Sequence, residues 1–318
     1  MSRPSLQEYI IHPSKIVLGI VNHCWFLFSD RASLKIQYRI KMGKKLNLNN
    51  PQRFSEKLQW IKLYDRKPEY TQMVDKIAVK SLVASKIGEQ YVIPTLGIWD
   101  HFDDINFDNL PEKFVLKTNH SGGSTGVVIC KDKSTFNRES AKRILEKSLK
   151  GNIYHYLREW PYKNVKPRIL AETLLEDNGP HGLLDYKVFC CNGEPQMIKV
   201  NYDVATDYHV NWYDLNWSRI EGTTIYDPTD KNVKIDRPVV LEELLQHARV
   251  LSKNTNFLRV DFYCVNDKLQ FGELTFFPGS GFEPFSPPDF DYEIGKKISL
   301  QNVRSLRSDG EKKKDNLQ

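Results

Sequence analysis

The sequence predicts an α+β protein, and three observations carry that prediction. Apolar residues recur at helical spacing within residues 1–70, short runs of β-branched and aromatic residues bounded by turn formers begin near Tyr91, and from there strands and helices mix without regular βαβ alternation. At 318 residues the chain exceeds one typical domain, so two or three lobes around shared cores are expected.

Taken in order, Pro51, Phe54, Leu58, Trp60, Ile61 and Leu63 trace a helix that ends over 65–68. A second helix is expected over 75–87, with Ile77, Leu82 and Val83 inward and Gly88 as its stop. Strands follow at 91–94, 113–118 and 126–130, then a helix over 134–150 whose Ala141, Ile144, Leu145 and Leu149 share a face. Strands at 168–175, 185–191 and 196–201, a helix over 241–251, and strands at 257–265 and 269–277 complete the pattern. Residues 308–318 are charged and weakly apolar, the composition of a disordered tail.

Composition narrows the function. A net charge of +6 permits anionic ligands such as nucleotides or uronic acids, and no basic motif has the spacing of a nucleic-acid module. The cysteines, Cys24, Cys130, Cys190, Cys191 and Cys264, are odd in number and lack metal-ligand pairing, so they read as free thiols in a reducing compartment. Residues 1–14 lack the apolar stretch of a secretory leader, and a cytoplasmic location is expected. The apolar run 16–28 is too short to span a bilayer and contains Asn22 and His23. A buried helix is its first reading. An interfacial helix at the inner face of the membrane is the second, because Arg31, Lys35, Arg39, Lys41, Lys44 and Lys45 follow.

The strongest chemical signal is the pair of runs 257–264 and 269–277. Arg259 and Asp261 share one face of the first strand, and Glu273 and Thr275 share one face of the second. In an antiparallel hairpin Asp261 then faces Glu273, with Cβ atoms about 5 Å apart, provided the connection is three residues long or a bulge intervenes. A regular hairpin with the two-residue turn Asn266–Asp267 would put the carboxylates on opposite faces. Two carboxylates this close require a cation or a proton, and hard oxygen ligands on a rigid hairpin suit Mg²⁺. A salt-bridge cluster with Arg259 on a solvated sheet is the alternative reading.

A second signal is Lys117 on a strand, followed by Ser121, Gly122, Gly123, Ser124, Thr125 and Gly126. Glycines let backbone N–H groups turn toward a phosphate, hydroxyls add donors, and a lysine is a compact countercharge. The loop is not a Walker A loop, since no Gly-Lys-Ser/Thr follows. Weaker signals are Asp75 and Lys76 at a helix start, Glu172 inside an apolar strand, and Lys187 on the same face as Asp185, where a surface ion pair is the plain alternative.

In this order the pieces resemble the ATP-grasp superfamily, and more closely its TupA-like branch, named for teichuronopeptide biosynthesis. The runs 53–60, 64–66 and 74–76 are similar to that branch's N-terminal signature, and 273–279 to its C-terminal one; the resemblance covers roughly residues 35–300. It implies an ATP-grasp fold, two α+β lobes clasping ATP: a helical region 1–70, a lid subdomain 71–175, a core subdomain 176–305 with the Mg²⁺ site, and the tail 306–318. It implies that Lys76 and Lys117 meet the nucleotide phosphates, that residues 121–126 form the flexible loop, that Glu172 meets adenine with Glu176 or Asp177 at the ribose, and that Lys187 serves the nucleotide site and catalysis. Asp261 and Glu273 would bind Mg²⁺ with Thr275, which stands where many ATP-grasp ligases have Asn, and Arg259 would steady an acyl-phosphate.

The resemblance further implies a ligase that activates a carboxylate with ATP and joins it to an amine, the partners being a uronic acid of a capsular or O-antigen precursor and an amino acid or amino alcohol. The aromatic and polar run 202–217 could stack on sugar faces or pack as a tyrosine-rich hairpin on the core. Arg53, Arg158, Arg168, His120 and His209 are candidate carboxylate partners. The alternatives are a glycosyltransferase of surface polysaccharide, whose Asp-x-Asp motif has only Asp289 and Asp291 as a match, and a non-catalytic assembly protein.

Overall fold

Local side chains set the helix ends. The computed structural model describes residues 13–300, so the expectations for the disordered tail and for most of the leader region lie outside the described residues. After α1 (Pro13–His23), Ser29 accepts a hydrogen bond from the Ala32 amide and starts α2 (Asp30–Met42), which Gly43 ends at φ 66°. The Glu56 carboxylate reaches back to the amides of Gln52 and Arg53 and starts α3 (Phe54–Tyr64). The short α4 (Glu69–Val74) leads to Asp75, whose carboxylate takes the Ile77 and Ala78 amides at the start of α5 (Ala78–Ile87). Val79 and Val83, four apart, are the buried pair of α5, while Ile77 and Leu82 are half-buried.

The first sheet comes from β1 (Thr95–Trp99), β2 (Phe114–Thr118), β3 (Val127–Cys130) and β4 (Ile169–Thr173), antiparallel in the order β1-β4-β2-β3. The strand expected at 91–94 begins at Thr95 instead. Pro94 has no N–H for a ladder, and residues Glu89–Tyr91 form a 3₁₀ turn. Between β3 and β4 run α6 (Arg138–Leu149), started by the Asn137 side chain, and α7 (Ile153–Leu157). Ala141 and Leu145 of α6 join Phe102, Phe107, Phe114, Leu116 and Ile169 in a small core; Ile144, expected there, is exposed.

The second sheet is built from β5 (Leu184–Cys191), β6 (Glu194–Tyr202), β7 (His209–Tyr213), β9 (Phe257–Val265) and β10 (Lys268–Thr275), in the order β10-β9-β5-β6-β7, again antiparallel; β8 (Thr223–Thr224) pairs separately with β11 (Phe285–Ser286). One face of this sheet is apolar, with Val188, Cys190, Ile198, Val260 and Phe262 fully buried. Leu244 and Ala248 of α8 (Leu241–Ser252) belong to the same core. Each such Val, Leu, Ile or Phe side chain stabilises the fold by about 1.5–3 kcal/mol. β7 lies in the aromatic run 202–217, where Tyr202, Trp212 and Tyr213 are all buried. Those three rings belong to the core, which is the packed reading of that part of the run.

The polar residues of α3 explain the N-terminal signature. Ser55 donates to Asp291 at 2.7 Å, Lys57 donates to the carbonyls of Gly295 and Ile298, and Gln59 donates to those of Ser280 and Gly281. Lys62 is buried and donates to the carbonyls of Leu157 and Ser280 and to the Ser280 hydroxyl. α3 therefore clamps the turn Pro278–Gly281 and the final helix α9 (Phe290–Lys296) onto the second sheet. The apolar run 16–28 is not buried as first read: Ile16, Val17, Ile20, Phe26 and Leu27 are exposed, and only Val21 is deeply covered. Cys130, Cys190 and Cys191 are buried, and all five thiols are free.

One buried amide joins the two sheets' surroundings. Asn119, after β2, donates to Asp75 and to the Lys166 carbonyl, accepts from the Arg168 amide at 2.7 Å, and exchanges backbone bonds with Lys76 and Arg168. Replacing it with Ala removes three side-chain hydrogen bonds, the buried one to Asp75 and two part-buried ones to the Lys166 and Arg168 backbone. We expect Asn119→Ala to lower stability by about 2–4 kcal/mol in urea unfolding.

Candidate active site

The hairpin of β9 and β10 decides where the acidic residues point. Its connection is the two-residue turn Asn266–Asp267, both residues at positive φ, 49° and 58°. A regular hairpin with that turn would separate Asp261 from Glu273. Gly272 is an extra residue between the Phe271–Phe262 and Glu273–Asp261 pairs, and this bulge restores the match. A Cβ at Gly272 would sit 3.1 Å from the Asp261 carbonyl and 3.3 Å from the Tyr263 ring, so the bulge suits glycine. Thr275 then pairs with Arg259, as the longer-loop geometry required.

Register carries this row across the whole sheet. Glu273, Asp261, Lys187, Lys199 and Trp212 occupy successive paired positions on β10, β9, β5, β6 and β7, and so share one face. Arg259 grips Asp261 through Nε at 2.7 Å and Nη2 at 2.6 Å, and its Nη2 also reaches Glu273 and Thr275 at 3.0 Å each. Lys187 lies 2.6 Å from Asp185 and 2.8 Å from Asp261, inside the cluster rather than on the surface. Thr275 donates to Glu273 at 3.1 Å and orients that carboxylate.

The electrostatics follow from these contacts. Burial alone would raise the proton affinity of Glu273, but Lys76, Arg259 and Lys187 overcome it and hold the carboxyl down to about 2. Burial opposes the charge on Lys187 too, and Asp185 and Asp261 reverse that and raise it above its ordinary value. Asp185 is raised, chiefly by burial. Among the described residues no group of three or more His, Cys, Asp or Glu could hold a metal ion.

The glycine-rich loop meets this cluster through Lys76. Its ammonium donates to the Ser121 carbonyl at 2.5 Å and lies 3.6 Å from Glu273. Gly123, Ser124 and Thr125 are exposed at the loop tip, and Gly123 has φ +59° with open space where a Cβ would be. Gly122 is half-buried near Ile153. Gly126, at φ +67°, packs so closely that a Cβ would fall 2.3 Å from the Ser148 hydroxyl. The Ser121 hydroxyl is turned inward, bonded to Thr118 and to the Thr125 carbonyl, and so knits the loop base together.

On the first sheet Lys117 and Glu172 form an ion pair at 2.6 Å, and Lys80 closes on the same carboxylate at 2.6 Å. Burial would raise Glu172, yet the two lysines hold it below its ordinary range. Lys80 was not singled out from the sequence, although it lies one helical turn after Lys76. Burial, then Asp185, Glu273, Asp261 and Glu172, all raise the phenol of Tyr263. Of the candidate carboxylate partners, Arg158 is buried and bonded to the Trp25 carbonyl, Arg53 pairs with Glu56, His120 bonds the Gly151 carbonyl, and His209 stacks on Tyr202. Arg168 is half-buried with its Nε unpartnered. None of these five joins the cluster.

This geometry agrees with a family model, TupA-like ATP-grasp, that matches residues 56–299. The chain belongs to the TupA-like ATP-grasp family. Its α+β layers, two antiparallel sheets with helices, are those of the ATP-grasp fold. No curated protein sequence matches this ATP-grasp chain. Solved structures similar to it include the D-alanine–D-alanine ligase of Bacillus anthracis, at 16% identity over 69% of this chain and 58% of that one, TM-score 0.38. The Helicobacter pylori D-alanine–D-alanine ligase has 16% identity over 77% and 69%, TM-score 0.38, and the ATP-grasp ligase PsnB with its precursor peptide PsnA2 and AMPPNP has 12% over 70% and 57%, TM-score 0.35. The ATP-grasp chain thus spans about 58% of the length of the Bacillus anthracis ligase.

The depressed Glu273 carboxyl makes a pH prediction. Its folded value, about 2, lies below the ordinary 4.5, so its stabilising contribution is present above pH 4.5 and is lost as pH falls toward 2. The stability gap between wild type and Glu273→Gln, measured by urea unfolding, should be largest near pH 7 and shrink steadily below pH 4.5.

Proposed function

We propose that this chain is an ATP-dependent carboxylate–amine ligase that forms an amide through an acyl-phosphate. We further propose that it joins an amino acid or amino alcohol to a uronic acid of a capsular or O-antigen precursor. The observation that carries the reading is the position of Lys76, which touches the glycine-rich loop and Glu273 together. A triphosphate lying between them would find cations on both sides.

The residues fit Mg²⁺. Asp261 and Glu273 are two hard carboxylates on paired positions with the Thr275 hydroxyl beside one of them, and Mg²⁺ takes one or two carboxylates and completes its shell with water and phosphate oxygens. Asp261 and Glu273 would hold the ion, which would supply charge neutralisation on the phosphates. The charges of Lys76, Lys187 and Arg259 now balance those of Asp185, Asp261 and Glu273, so either lysine can turn to a phosphate when a cation replaces it. Lys117 would add positive charge from the lid side. Arg259, held by four hydrogen bonds, is preorganised to stabilise the negative charge that develops at the acyl centre.

A glycosyltransferase is disfavoured by a specific contact. Asp291, half of the only Asp-x-Asp spacing weighed above, is buried and accepts from the amide and hydroxyl of Ser55. The assay is ADP release from ATP and MgCl₂ with panels of uronic acids and amines, beside UDP release from UDP-sugars. ADP that appears only with both co-substrates supports the ligase, and UDP release would overturn it. Arg259→Ala should slow ADP formation by about a hundred- to a thousandfold.

Placement at the inner face of a membrane belongs to the same proposal. Among the described residues no helix is long and apolar enough to cross a bilayer. Ile16, Val17, Ile20, Phe26 and Leu27 are exposed, and Arg31, Lys35 and Arg39 lie exposed on α2 just beyond. Co-sedimentation with anionic liposomes, with and without residues 1–45, tests it: binding that survives the truncation would sink the idea.

A further inference from the structure

A cavity of about 30 Å³ lies on the same face of the second sheet, bordered by Arg259 and Lys199. It is large enough for a water or a small head group and no more. Its charged lining is nearly self-compensated. Lys199 is held by both Asp227 oxygens at 2.7 Å, and Arg259 is committed to Asp261, Glu273 and Thr275. Glu283, which also lines the cavity, takes part in no hydrogen bond or ion pair among the described residues. The surplus charge of the cavity is therefore one carboxylate.

Two polar groups in the wall are also unsatisfied. Trp212 and Thr224 are 2% and 4% exposed, and the indole N–H and the hydroxyl have no hydrogen-bond partner. An ammonium group could donate to the unpartnered Thr224 hydroxyl, whereas the indole N–H, itself a donor, gains nothing from an ammonium. The rings of Phe189, Trp212 and Phe285 line the same space, and Lys199 Nζ already lies 5.8 Å from the Trp212 ring centroid, a contact an aromatic ring makes with a cation. A carboxylate in this cavity would meet Glu283 unfavourably, and an ammonium group would compensate it.

Resting on the ligase reading, we propose that this cavity seats the ammonium group of the nucleophile, and that Glu283 binds it and takes its proton. The position of Glu283 is built in. Gly279 has no side chain where a Cβ would lie 2.1 Å from the Glu283 carboxyl carbon, and the turn before it is pinned by Gln59 and Lys62. Burial raises the proton affinity of Glu283, Asp227 adds to this, and Lys199 and Arg259 oppose it; Tyr208 is the other titratable group that senses Glu283. A proton passes from the ammonium nitrogen to the Glu283 carboxylate, and the freed lone pair forms the C–N bond at the acyl carbon. The bond from that carbon to the phosphate oxygen breaks with its electron pair on phosphate, which takes the second nitrogen proton.

The test has two arms. Calorimetric titration of the full chain with methylammonium, glycine and ethanolamine, without ATP, asks about the cavity alone. Binding of at least one of them in the millimolar range or tighter, weakened tenfold or more in Glu283→Gln and partly restored in Glu283→Asp, supports the inference; no binding to wild type, or equal binding to wild type and Glu283→Gln, overturns it. ADP release with a uronic acid and each amine asks about the ligase. There Glu283→Gln should raise the KM for the ammonium nucleophile at least tenfold, and lower amide yield at least tenfold relative to trapping by hydroxylamine, which is uncharged at neutral pH. It should also remove the acid limb of the pH profile for the amine. An unchanged amine KM and an unchanged ratio of amide to hydroxamate in an active enzyme would likewise overturn the role of Glu283 while leaving the ligase standing.

Discussion

The structure depends on one electrostatic constraint: Asp261 and Glu273 stand side by side on one sheet face and must be neutralised. Like charges at adjacent paired positions repel strongly where water is scarce, and removing one partner of such a cluster leaves a charge uncompensated. The protein answers with Arg259 bound to both, Lys187 on Asp261 and Lys76 on Glu273. Each cation arrives from a different part of the chain, so satisfying the pair fixes β5, β9, β10 and the segment before α5 relative to one another. The same arrangement makes the site exchangeable, because cations that compensate carboxylates are also cations that can meet phosphates.

The first sheet repeats the device with opposite balance. Two lysines, Lys80 and Lys117, close on the single carboxylate of Glu172 and leave a net positive charge. The phenol of Tyr263 is raised by burial and then by carboxylates of both clusters. The glycine-rich loop joins the two sides through the Ser121 carbonyl and Lys76, so a change at the loop tip can reach Glu273 through one side chain. The Ser121 hydroxyl, bonded inward, makes the loop base firm while Gly123, Ser124 and Thr125 stay open to solvent.

Stability and site geometry are joined at α3. A helix whose polar residues Ser55, Lys57, Gln59 and Lys62 all bond to residues between Ser280 and Ile298 is a clamp on the C-terminal segment. That segment carries Glu283 and β11, and Phe54 on the same helix meets Phe189 and Phe257 on the site face of the sheet. Lys62, deprived of water, has its proton affinity lowered to about 7, and it remains beside Glu159, which burial raises. A clamp of this kind spends buried polar groups on orientation rather than on stability.

Much of this was legible along the chain. Alternation on 257–265 and 269–277 put Arg259 with Asp261 and Glu273 with Thr275, and glycines beside a lysine marked the loop, because period-two patterning and glycine backbone freedom are local properties. The sequence determined the α+β class, the order of the elements and the family resemblance. Only the tertiary structure decided that a bulge at Gly272, not a longer turn, aligns the carboxylates, since turn and bulge give the same pairing on paper. It decided that Lys80 shares Glu172, that Tyr202, Trp212 and Tyr213 are core, and that residues 16–28 expose apolar side chains. Those outcomes rest on contacts between residues far apart in the chain, and composition and spacing hold no record of which distant surface comes to cover a given side chain.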